Sequence, residues 1–147
     1  MMDAKTSSEL LSLGKRIVSL LEQAAKASEE EDSYKKRIRR YDGGQMRIYS
    51  GPVPRDISAM ISSKNNMLAE LEFSIPAFTK TEYDSLLANF EENPVENVGT
   101  GTATFYRIYE FNGKNPISQG KVGKELRLTN TDFVKGGCVT TRFRLDI

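Results

Sequence analysis

The last third of the chain alternates apolar and polar side chains with a period of two. Over residues 138–147, Val139, Thr141, Phe143, Leu145 and Ile147 fall on one side and Thr140, Arg142, Arg144 and Asp146 on the other, which predicts a half-buried strand. The same period predicts strands over residues 45–50 and over 67–74, where Glu70 and Glu72 face away from Ala69, Leu71 and Phe73. A long strand is expected over 101–111 and another over 116–121, joined through Asn112-Gly113, a favoured hairpin dipeptide. A short strand is expected over 125–128. Gly51-Pro52-Val53-Pro54 cannot continue the first strand, so a loop or short helical turn carries Ile57, Met60 and Ile61. Thr79 with Glu82 resembles a capping box, which predicts a short helix bearing Tyr83, Leu86, Leu87 and Phe90 and stopping at Pro94.

Ahead of the strands the period changes. Leu10, Leu13, Ile17, Leu20, Ala24 and Ala27 recur at alternating steps of three and four, the spacing of a coiled-coil seam. Leu11, Val18 and Leu21 widen that stripe, so the helix suits packing on its own domain as well as oligomerisation or docking. Asp42-Gly43-Gly44 ends it. The expected organisation is α+β but mainly β: an N-terminal helical segment, residues 1–42, and a small antiparallel β-sandwich or jelly-roll-like domain, residues 45–147.

Composition narrows the chemistry. The 147 residues contain no histidine, which removes Ser-His and Cys-His nucleophile pairs, imidazole metal ligands and a general base titrating near neutrality. One cysteine, Cys138, excludes an internal disulfide and a cysteine-rich metal site, and its place on a strand suggests a buried or half-buried thiol. Basic and acidic residues number 21 and 20, so no net field draws the molecule to nucleic acid or to an anionic membrane. No stretch approaches the ~20 apolar residues of a membrane span. The expectation is a soluble cytoplasmic product with no catalytic residues, metal or cofactor.

Local features remain. Glu29-Glu30-Glu31-Asp32 precedes the cationic residues Lys35, Lys36, Arg37, Arg39 and Arg40; the basic run could touch phosphate, but the acidic run beside it favours a solvated or interface-forming helix. Gly99-Thr100-Gly101 lacks the Lys-Ser/Thr ending of a phosphate loop. Glu70 and Glu72, neighbours about 7 Å apart on one strand face, could hold a hard cation but read better as solvated strand residues. Arg142 and Arg144 on the outward face of the last strand, with Arg107 and Arg127 on nearby strands, form a possible interface. Phe105, Tyr106, Tyr109 and Phe111 cover both faces of one strand, so Tyr106 and Tyr109 join that interface expectation: a doubly apolar strand asks for a cover from a helix, a second sheet or another subunit.

In order, the segments Met46-Arg47-Ile48-Tyr49-Ser50-Gly51-Pro52-Val53-Pro54, Leu68-Ala69-Glu70-Leu71-Glu72-Phe73-Ser74-Ile75-Pro76-Ala77-Phe78, Gly99 to Tyr109, Gln119 to Gly123 and Leu126-Arg127-Leu128 resemble a family of small proteins encoded in the structural gene clusters of tailed bacteriophages. The N-terminal helix lies outside the resemblance, and residues 79–93 are more acidic than the pattern. The resemblance implies a non-enzymatic virion component made in the host cytoplasm, partnered by other virion proteins and by copies of itself, without a small-molecule ligand. Capsid decoration is the first expected role, a neck, tail or tail-fibre position the second, and a nucleic-acid accessory protein using Lys35–Arg40 the third.

Overall fold

A computed structural model describes residues 35–146. Contacts divide the chain between Arg37 and Ile38, and the second unit, Ile38–Ile147, carries the strands. Residues 35–39 are helical and end in a turn at Tyr41.

Alternation builds the first half of the sheet. β1 (Gln45–Ser50) turns Met46 and Ile48 inward, both fully buried, and pairs antiparallel with β2 (Met67–Lys80). The helix expected after Thr79 is instead a continuation of β2 and a second strand, β3 (Ser85–Phe90), with Thr79 paired to Leu87 and Lys80 to Leu86. The spacing of Tyr83, Leu86, Leu87 and Phe90 fits a helical stripe equally well, so short-range periodicity could not choose between them. What decides is the turn. Asp84 takes a left-handed φ of 52°, Thr81 N–H donates to the Ser85 carbonyl at 2.8 Å, and the Thr81 and Ser85 hydroxyls bond to each other. The Thr79 hydroxyl accepts from Asn89 across the hairpin rather than capping a helix.

β4 (Val95–Glu96) leads to β5 (Gly101–Tyr109), which pairs with β1 on one side and with β6 (Pro116–Lys121) on the other. β7 (Leu126–Leu128), β8 (Asp132–Phe133), β9 (Cys138–Val139) and β10 (Thr141–Asp146) complete the strands of the described residues. The hydrogen-bonded order is β6-β5-β1-β2-β3-β10-β7, with β8 on β5 and a separate β4–β9 pair. The molecule is mainly β and its sheet curls. Tyr106 on β5 and Phe143 on β10, with three strands between them in that order, have ring centroids 5.2 Å apart and packed edge to face. Where a two-sheet sandwich or jelly roll was expected, the curl lets one antiparallel path close over its own core.

That core is aromatic. Phe143 also meets Phe73 and Phe78, and Tyr41, just past the helical residues, meets Phe73 at 5.9 Å and Phe78 at 5.2 Å. In β9 and β10 the inward set is Val139, Thr141 and Phe143, as the alternation predicts, while Cys138 points out and is exposed, contrary to the expected buried thiol.

The second face of β5 is covered by the chain itself. Phe105, Arg107 and Tyr109 lie on the side opposite Tyr106 and Ile108, and Tyr49 stacks on Phe105 at 5.1 Å. Residues 51–66, between β1 and β2, fold across this side. Arg107, 3% exposed, donates from Nη1 to the Ala59 carbonyl at 2.8 Å, from Nη2 to the Asp56 carbonyl at 3.1 Å and from Nε to Gln119 Oε1 at 2.9 Å. Gln119 in turn donates to the Pro54 carbonyl. Asp56 holds the turn in shape by accepting from the Ser58 and Ala59 amides, and Asn65 ties the loop's neck by donating to the Ser50 and Pro52 carbonyls. A helix, a second sheet or a subunit is therefore not what buries this face.

Candidate interaction surface

The outward face of β10 and β7 carries a cationic cluster set by register. Arg142 pairs directly opposite Arg127, and Arg144 follows two residues on, so three guanidinium groups share one side of two short strands. Their inward neighbours Leu126 and Phe143 are fully buried, which fixes the arginines outward: a slip of one residue would bury the charges. Like charges placed opposite each other destabilise a strand pair. Among the described residues none of Lys124, Arg127, Arg142 and Arg144 takes part in an ion pair. With Glu125 and Asp146 they line a groove of about 400 Å³. A second groove of about 420 Å³ shares Arg142 and Arg144 and continues past Leu87 to Lys80 and the exposed Tyr83.

An acidic groove of about 280 Å³ lies elsewhere on the sheet, lined by Gln45, Glu70, Glu72, Glu91 and Glu92 with Leu71 and Val95. The Glu91 amide donates to the Glu72 carbonyl at 2.9 Å, which brings Glu91 and Glu92 beside the Glu70 and Glu72 of β2. Glu70 is occupied: Arg47 Nε reaches its Oε2 at 3.1 Å, while Arg47 also lies over the Tyr109 ring at 4.4 Å. Glu70 and Glu72 are thus not a free pair for a cation, and no group of three or more acidic or thiol side chains among the described residues is arranged to hold a metal.

The other expected site residues separate. Tyr106 and Tyr109, expected beside Arg142 and Arg144, are buried at 2% and 8% exposure; Tyr106 belongs to the aromatic core and Tyr109 to the face under Arg47. Arg107 is buried beneath the loop rather than grouped with the surface arginines. Lys35, Lys36, Arg37 and Arg39 are exposed on the helical residues, but Arg40 is committed to Glu110, with Nη2 at 3.0 Å and Nε at 3.1 Å from Oε1. Hydrogen bonds from Asn115 and from Arg40 hold the Glu110 carboxyl below the usual carboxylate range. Leu10, Leu13, Ile17, Leu20, Ala24 and Ala27 lie outside the described residues.

Two features escaped the reading of the sequence. Lys124 enters the arginine groove from a turn with no periodic signal. The Arg107–Gln119 clamp had one visible sign, a lone cation inside the apolar run Phe105-Tyr106-Arg107-Ile108-Tyr109, which calls for a buried acceptor set. No family model, no curated protein and no solved structure matches the chain.

Proposed function

We propose that this chain is a non-enzymatic structural component of a tailed-phage virion, a capsid decoration protein held by oligomeric contacts and carrying its curled antiparallel β domain on an N-terminal helical segment. The observation that supports the reading is spatial. The segments resembling phage structural proteins are scattered along the sequence, yet most of them fold into the adjacent strands β2, β1, β5 and β6, and the first of them runs into the loop that Arg107 clamps. They form one contiguous stretch of sheet, as expected if the resemblance reflects a shared domain rather than a set of chance strand-like matches. The unpaired arginine face is a surface through which such a unit could attach.

Purified particles from infected or induced cells test the reading. Stoichiometric presence of the chain in particles, with density for the β domain on the outer shell, is the expected result. Density at the neck or tail would move the assignment to that position. Absence from purified particles would overturn it.

A further inference from the structure

The arginine face and the acidic groove match each other better than either matches a solvated surface. Arg142 stands opposite Arg127, a like-charge pairing, and Arg144 and Lys124 extend the same cluster. On the other side of β3 in the sheet order, Glu72, Glu91 and Glu92 gather in one groove over the buried Leu71 and Val95. Among the described residues these three carboxylates and the four cations form no ion pairs, and the two grooves share no residue. A chain with a net charge of +1 has therefore sorted opposite charges onto separate parts of one domain.

We propose that the arginine face of one copy docks into the acidic groove of the next. Guanidinium groups bind carboxylates through paired N–H donors, and three of them at fixed strand spacing meet a cluster of discrete carboxylates. Leu87, half-buried beside the arginines, adds contact area that a bare charge pair lacks. Glu125 and Asp146 within the arginine lining work against a long polyanion, whose continuous charge would run across them, and favour a partner with a few separated carboxylates. Because the donor and acceptor surfaces differ, the contact is heterologous: it propagates head to tail and closes into a ring if the rotation allows, or extends if it does not. The inference deepens the self-association contained in the reading above and rests on it only to that extent.

Sedimentation velocity of the full chain is the test, from about 0.01 M to about 1 M salt, over which the screening length falls from ~30 Å to ~3 Å. The wild-type chain is expected to form species above the monomer that weaken as salt rises. Arg142→Glu with Arg144→Glu, and separately Glu91→Lys with Glu92→Lys, should each raise the dissociation constant of that association by ~100-fold or more, since each leaves like charges facing. An equimolar mixture of the two variants should associate again, because each reversed surface then meets a reversed partner. All four side chains are exposed, and recovery on mixing is a result that misfolded variants would not give. A wild-type monomer at low salt, or a mass that neither salt nor either reversal changes, would overturn the proposal; the second result would place any association elsewhere in the chain. Charge-dependent association in a chain that never copurifies with particles would retain this inference and remove the virion assignment. A monomeric chain found in particles would do the reverse.

Discussion

Arg107 carries a buried positive charge with no carboxylate among the described residues in ion-pair contact. Its guanidinium is satisfied by two loop carbonyls and the Gln119 amide oxygen, so it organises residues 51–66 mainly through hydrogen bonds to the backbone, with the Asp56 carboxylate in the same loop adding a longer-range attraction. Arg107→Met should cost about 2–3 kcal/mol in a denaturant melt and speed proteolytic cleavage within 51–66. Arg107→Lys should recover only part of this, because one ammonium cannot span Gln119, Asp56 and Ala59 together. An unchanged melt and cleavage rate would mean that other contacts hold the loop. At the same scale, burial pushes the Tyr49 phenol up to about 12, with Tyr109 adding to the shift, and burial also raises Tyr106. In the unfolded chain a tyrosine ionises near pH 10. Between these values the unfolded state has lost protons that the folded state keeps, so stability is undiminished below about pH 10 and falls as pH rises toward 12. Denaturant melts across that range should show the decline, and Tyr49→Phe should flatten it. A wild-type midpoint constant through the range would contradict the assignment.

Elements were legible where one face meets the core and the other meets water. β1 and β10 follow from simple alternation, and Asn112-Gly113 marked the turn that leads from β5 into β6. The β2–β3 hairpin was not legible, since four apolar residues over eight positions satisfy a helix and a strand alike, and only pairing with β2 and β10 selects the strand. The cover of β5 was illegible for another reason: hydrogen bonds from a side chain to backbone carbonyls leave no periodic trace. The doubly apolar strand correctly signalled that something must lie over it, and the cover is a loop about 50 residues earlier in the chain rather than a helix, a sheet or a subunit. Replacing residues 55–60 with a short glycine-serine link should uncover Tyr49 and Phe105, raise binding of a hydrophobic dye and lower the Tm by roughly 5–15 °C, equivalent to about 2 kcal/mol. Unaltered dye binding and Tm would show that the strand face is closed without the loop.

At the scale of the molecule, net charge hid more than it revealed. A sum near zero argued against electrostatic partners, whereas register brings Arg127 beside Arg142, and one backbone hydrogen bond brings Glu91 beside Glu72. Neither meeting can be read from composition, because both join residues distant in sequence. The unit beginning at Ile38 contains Tyr41 and the whole aromatic core, so deleting Met1–Arg37 should leave a chain that still melts cooperatively, with a Tm within about 5 °C of the parent. A non-cooperative melt would show that the β domain needs the removed segment. Phe143 closes that core against Phe73, Phe78 and Tyr106 from a strand made after all of them. At about 5–20 residues per second, a ribosome needs roughly 3–13 s to pass from Phe78 to Phe143, and through that interval the emerging rings lack their final partner. How long a nascent chain stays vulnerable to sticking to its neighbours is therefore set by the pace of translation.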